Sequence, residues 1–197
     1  RLEVALHRRE PGRDVEALAH PHGRVGPLER AQLVVDTEAL ERDRRQQVDA
    51  AALAHEAVGL CAWEASQHQV QIIEHADAGL PRLQVDPILL QQVLLNLLRN
   101  AIDANREEHP EQISQVQLHI QLVDEMVCID VIDQGAGVSA EVREQLFVPF
   151  YTSKADGLGL GLSMSQGIVE GFGGSLNALP AESGGLCLRC LLPAVFN

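Results

Sequence analysis

The stretch from Asp86 to Glu108 constrains the fold more than any other part of the chain. Asp86 suits a helix N-cap and Pro87 the first helical position, so a helix should start here and run to about Glu108. Val93, Leu94, Leu97, Leu98 and Ile102 recur at helical spacing and supply an apolar side that must be covered. Asn96, Asn100 and Asp103 stand at i, i+4 and i+7 and therefore share one face. An Asn inside such a helix costs helix propensity and displays a bare amide oxygen. That oxygen is a hard, neutral ligand suited to Mg²⁺ that nucleotide phosphates also hold. The plain alternative is a solvated polar face.

The rest of the chain supplies the cover. Ala51, Leu53, Ala54, Val58, Leu60 and Cys61 predict a helix within 48–69, and 69–75 alternates as a strand. Strands over 113–123 and 126–133 meet at Asp124-Glu125 as a hairpin. Ser139 caps a short helix to Leu146, and Leu162 to Gly171 reads as another helix. Strands over 175–179 and 186–192 flank the turn at Gly184-Gly185. The expectation is an α+β fold over residues 48–197: a two-layer α/β sandwich with a mixed, mostly antiparallel sheet and helices on one face. Apolar residues make up 46% of the chain but aromatic ones only 3%, so Leu, Val, Ile and Ala must form the core. Residues 1–47 differ in texture, being rich in Arg, Glu and Asp. Residues 28–47 lack Gly and Pro and are helical by composition, while Pro21, Gly23, Gly26 and Pro27 interrupt what precedes them.

A net charge of −13 excludes a nucleic-acid partner and an anionic membrane surface, since both repel such a chain. No apolar run reaches the roughly 20 residues of a transmembrane helix. The chain opens on Arg1 without an initiator Met or signal pattern, which reads as a fragment, and a membrane sensor upstream stays open. Cys187 and Cys190 form a lone C-x-x-C on an expected strand, where they point to opposite faces and share neither a metal nor a disulfide. All four cysteines are expected as buried thiols in a reducing cytoplasm.

Two further constellations carry chemistry. Asp133-Gln134-Gly135-Ala136-Gly137 stands where a strand ends. An Asp there can accept a hydrogen bond from an exocyclic amine, and the glycines let the backbone approach a flat ligand. By itself this pattern equally fits a turn with Asp as turn former. Next comes Leu146-Phe147-Val148-Pro149-Phe150-Tyr151-Thr152-Ser153-Lys154, holding three of the six Phe, Tyr and Trp residues. Gly157-Leu158-Gly159-Leu160-Gly161-Leu162 follows and opens a helix. Alternate glycines there present backbone N–H groups and a positive helix terminus to phosphates, with Lys154 as a mobile charge for the outermost one. The spacing matches neither G-x-G-x-x-G nor the P-loop.

In this order, N-L-L-R-N-A, D-x-G-x-G, L-F-x-P-F-Y-T-S-K and G-L-G-L-G-L over residues 48–193 resemble the catalytic domain of sensor histidine kinases. These belong to the ATPase superfamily that also holds gyrase-type topoisomerases, Hsp90 chaperones and MutL proteins. The resemblance implies an ATP site with Mg²⁺ on Asn100, and Asn96 and Arg99 near the phosphates. It implies Asp133 on the adenine amine, with Gly135 and Gly137 shaping that pocket. Asp103, Thr152, Ser153, Lys154, Gly157, Leu158, Gly159, Leu160, Gly161 and Leu162 complete the nucleotide set, and Asn96, Asn100 and Lys154 are the expected catalytic residues.

The chain departs from the pattern at Asp103, where many members carry Lys or Arg, and at Cys187, where a hydroxyl residue is frequent. The other branches place a Glu, as base for water attack, four residues before the metal-binding Asn. Here that position is Asn96, which suits transfer to a protein histidine over hydrolysis. The resemblance further implies that residues 1–8, 9–13 and 14–47 are the end of one helix, a turn and the second helix of a partial dimerisation hairpin. The phosphoacceptor His then lies upstream of Arg1. His55, followed by Glu56, and His20, followed by Pro21, fit an acceptor poorly. Implied partners are a response-regulator receiver domain, a histidine-bearing hairpin and a second copy of the chain, in the cytoplasm or on the cytoplasmic side of a membrane sensor. The rival reading is a non-catalytic nucleotide-binding or dimerising signalling module.

Overall fold

The structure, a computed structural model, describes residues 44–152, 158–182 and 184–196. Of the hairpin expected over residues 1–47, residues 1–43, with the turn at 9–13 and the break at 21–27, lie outside them. Seven strands and four helices are described, in the order β1 (Gln46–Val48), α1 (Ala50–Gln67), β2 (Val70–Ala76), β3 (Arg82–Val85), α2 (Pro87–Glu108), β4 (Ser114–Val123), β5 (Met126–Ile132), α3 (Ala140–Gln145), α4 (Gly161–Gly171), β6 (Ser175–Pro180) and β7 (Leu186–Val195).

The strand order is β1-β3-β7-β5-β4-β2, with β6 beside β3 on the same edge of β7. Among the described strands only β2 and β4 pair in parallel, because the chain between them crosses over through α2. The expected two-layer α/β sandwich with a mostly antiparallel sheet is therefore the fold found. Alternation along each strand decides its sides. Val116, Leu118 and Ile120 of β4, Val127, Ile129 and Val131 of β5, and Leu188, Cys190 and Leu192 of β7 face the helices and join the core. On the other side His75, His119, Asp130, Arg189 and Asn177 stand in register across five strands. Cys190 therefore lies in the core, while Cys187 sits on the far face near Asp130; all four thiols are buried and free.

α2 is the central helix, with α1 and α4 packed on it. Asp86 caps it as expected, Oδ1 accepting from the N–H groups of Ile88 (2.9 Å) and Leu89 (3.3 Å). Leu90, Val93, Leu94, Leu97, Leu98 and Ile102 are fully buried beneath it. At about 1.5–3 kcal/mol for each such side chain, this stripe dominates the core. Asp124 and Glu125 form the β4–β5 turn, both with positive φ (47° and 28°), as a two-residue hairpin requires.

Two strands differ from expectation. Gln46 and Gln47, expected to end a helix running to residue 47, belong to β1 and pair with Val85 and Gln84 of β3. β3 itself was not expected: four residues are too few to show a period, and its pairing with β7 makes it a strand.

Candidate nucleotide site

Three elements converge on the polar face of α2: the end of β5, the segment before α4, and α4 itself. Asn96 is the best defined contact. Its Nδ2 donates to Oγ of Ser165 on α4 at 3.0 Å, and Ser165 is buried. A Cβ built on Gly161, the first residue of α4, would lie 2.5 Å from Asn96 Oδ1, so any larger residue there would displace that amide. Asn100, one turn further along, is partly buried. Asp103 pairs with Arg106 at 3.3 Å. Arg99 is turned to the neighbouring helix α1, where Nε meets Glu64 at 3.3 Å, and is not brought to Asn96 and Ser165.

At the end of β5, Asp133 is 5% exposed. Its Oδ1 accepts N–H bonds from Gly135 and Leu186, each 2.9 Å. Burial pushes its carboxyl above the usual value, opposed by those two bonds. The glycines around it make close backbone packing possible. A Cβ on Gly185 would lie 2.5 Å from Asp133 Oδ1, and one on Gly135 2.9 Å from Ala104 Cβ on α2. Gly137 has φ +68°, and a Cβ there would run into the Gly184 carbonyl.

The segment before α4 is tied at its base. Phe150 N–H donates to Gly159 O at 2.9 Å, and both residues are left-handed, with φ 67° and 66°. Phe150 is 75% exposed, so a bulky residue holds a costly backbone conformation with no core burial to compensate. Thr152 and Leu158 are exposed, Leu160 holds the N-cap position of α4, and Leu162 packs against the core. Ser153, Lys154 and Gly157 lie outside the described residues.

Four residues of this region carried no sequence expectation. Ser165 had no local signal, because its partner Asn96 is 69 residues away. Asn105, His109 and Gln134 form a bonded group behind Asp133. Asn105 did leave a trace, as a polar residue where the apolar stripe of α2 continues past Ile102. Two surface hollows of about 430 and 310 Å³ lie elsewhere, one between α1 and β2, the other between the start of α2 and α4.

A domain with a helix layer on a mostly antiparallel sheet, a buried Asp at a strand end, and Asn side chains on the facing helix is of the nucleotide-binding kind. The chain belongs to the family of histidine kinase-, DNA gyrase B- and HSP90-like ATPases, whose model matches residues 85–195. Among curated relatives it is 34% identical over 146 residues to the C4-dicarboxylate transport sensor protein DctS of Rhodobacter capsulatus, covering 74% of this chain and 22% of that protein. It is 36% identical over 142 residues to the sensor protein FixL of Bradyrhizobium diazoefficiens, covering 72% and 28%. The chain thus spans about a quarter of the length of these relatives. The fold matches the solved catalytic domain of histidine kinase ThkA with a TM-score of 0.68 at 24% identity, covering 76% of this chain and 95% of that one. No helix of the described residues is long and apolar enough to cross a membrane.

Proposed function

We propose that this chain is the ATP-binding catalytic region of a two-component sensor histidine kinase. It binds Mg²⁺-ATP between Asp133 and the start of α4 and passes the γ-phosphoryl group to a histidine on a dimerisation hairpin, releasing ADP. A response-regulator receiver domain takes the phosphoryl group onward.

The observation that carries this reading is the setting of Asn96. It stands one turn before Asn100, where a water-activating Glu would be needed for hydrolysis. An amide cannot take a proton, and its Nδ2 is held by Ser165. The residues present fit the nucleotide: glycines at 135, 161 and 185 let the backbone close on Ala104, Asn96 and Asp133, which sets the polar groups on facing elements, and Asn100 offers a neutral oxygen of the kind Mg²⁺ accepts. Bound Mg²⁺-ATP supplies the transferable phosphoryl group and its charge neutralisation. The chain supplies position, through the helix that carries Asn96 and Asn100, and recognition of the base, through Asp133. Lys154 provides a positive charge for the outermost phosphate.

Of the eight His, His55 alone is followed by an acidic residue. Its Nδ1 lies 3.2 Å from Glu74 of the edge strand β2, on α1 rather than beside Asn96. The test is incubation of the chain with γ-labelled ATP, alone and with an added hairpin bearing a His-Glu or His-Asp motif. Label that is acid-labile and base-stable is expected on the hairpin only. Label on the chain itself would place the acceptor here, with His55→Gln as the check. Nucleotide binding without transfer to any hairpin would favour the non-catalytic module.

A further inference from the structure

The polar group behind Asp133 is built like a clamp. The apolar stripe of α2 ends in Asn105, which is completely buried. A buried amide is tolerated when its hydrogen-bonding groups find partners. Here Nδ2 donates to Ser114 Oγ (3.1 Å) and to the Gln115 carbonyl (3.0 Å), and Oδ1 accepts the N–H of Gln134 (2.7 Å). One turn on, His109 ends the helix with its own N–H on the Asn105 carbonyl (2.8 Å). Its ring Nε2–H donates to the carbonyl of Gln134 at 2.8 Å. The side chain of Gln134 closes a third side, Oε1 accepting the N–H of Gln115 at 2.7 Å.

One turn of α2 therefore grips both the N–H and the C=O of Gln134. That residue stands between Asp133 and Gly135. The Gly135 N–H, which Gln134's carbonyl carbon bears, is one of the two donors that orient the Asp133 carboxylate. The loop also rests directly on α2, since a Cβ on Gly135 would touch Ala104. A purely structural contact at this point needs only an apolar residue against the sheet. Bonds to the two peptide groups that flank the Gln134 Cα instead restrain their rotation, and with it the direction of the carboxylate.

We infer that Asn105 and His109 are positioning residues for base recognition, holding Gln134 so that Asp133 meets the 6-amino group of adenine. The inference rests on the proposed role of Asp133. It makes α2 the common support of both ends of the nucleotide, with Asn96 and Asn100 toward the phosphates and Asn105 and His109 behind the base. A helix is rigid on this length scale, so the distance between the two ends is set by the helix and not by the loop.

The experiment measures binding of ATP and of the purine triphosphate lacking the 6-amino group, by calorimetry, to the wild-type chain and to Asn105→Ser, His109→Ala, His109→Gln and Asp133→Ala. Thermal melts confirm folding at the assay temperature. His109→Ala and Asn105→Ser are expected to lower ATP affinity about tenfold and the analogue's less than twofold, shrinking base selectivity. His109→Gln keeps a donor and is expected to recover part of it. Should Asn105→Ser fail to fold, His109→Ala carries the test, because His109 is half-buried at the helix end. Equal weakening of both nucleotides, or unchanged selectivity in the folded variants while Asp133→Ala loses it, overturns the inference alone. A wild-type chain that binds both nucleotides equally overturns the reading of Asp133, and the inference with it.

Discussion

Gly161 and Asn96 occupy one space: the position a Cβ would take on Gly161 lies 2.5 Å from the Asn96 amide oxygen. The first residue of α4 is thus a glycine for the sake of a side chain on α2. Gly161→Ala is expected to push Asn96 off Ser165 and to lower Mg²⁺-ATP affinity about tenfold, read by calorimetry. Gly167 on the same helix has nothing within 4 Å of a built Cβ. Gly167→Ala should stabilise the domain by about 0.5–1 kcal/mol, since alanine loses less backbone entropy in a helix. A gain at 161, or a loss at 167, in thermal melts would contradict this account of the two glycines.

Asn100→Ala is expected to remove Mg²⁺-dependent ATP binding while leaving the fold intact. The residue sits on the polar side of α2, away from the buried stripe Leu90–Leu94–Leu97–Leu98. Unchanged nucleotide affinity in Mg²⁺ would withdraw the metal assignment. Leu97→Ala, on the buried side, is expected instead to cost about 2–5 kcal/mol in denaturant unfolding.

Asp133 should trade stability for recognition. Its folded pKa is raised above the unfolded value by burial. Its contribution to stability is therefore greatest below the ordinary carboxylate range and is lost as pH rises through the raised value. Asp133→Asn keeps an oxygen for the N–H groups of Gly135 and Leu186 but carries no buried charge. At neutral pH this variant is expected to be at least as stable as the wild type in thermal melts. It should bind ATP roughly tenfold to a hundredfold more weakly, the loss of a charged hydrogen bond of ~1.5–3 kcal/mol. In the wild type, ATP affinity should begin to fall on acidification at a higher pH than an ordinary carboxylate would give.

The thiols should be silent in the folded chain. Burial pushes Cys128 up to about 11 and Cys187 and Cys190 each to about 12, and raises Cys61 as well. Asp130 beside Cys128 and Cys187 adds to the rise. At pH 8 almost no thiolate exists, so a chromogenic disulfide reagent is expected to react with none of the four until denaturant is added. A fast-reacting thiol in the native protein would contradict this account of their burial.

Most of the architecture was legible in the order of residues because local physics decides it. The cap at Asp86, the span of α2, the β4–β5 hairpin, the cap of α3 and the helix after the glycines all follow from neighbours within a few positions. The family was legible for a similar reason: four short motifs, each with its own spacing, stand in order along residues 96–162. What needed the tertiary structure were the bonds between distant segments. β1 and β3 are strands through pairing, not pattern. Ser165 acquires its part from Asn96 across the α2–α4 contact, and Arg99 is drawn to Glu64 by the approach of α1. Asn105 acquires its partners only when β4 and the end of β5 are laid against α2. Local preference is written along the chain, whereas the partner of a buried polar group is chosen only when the layers close.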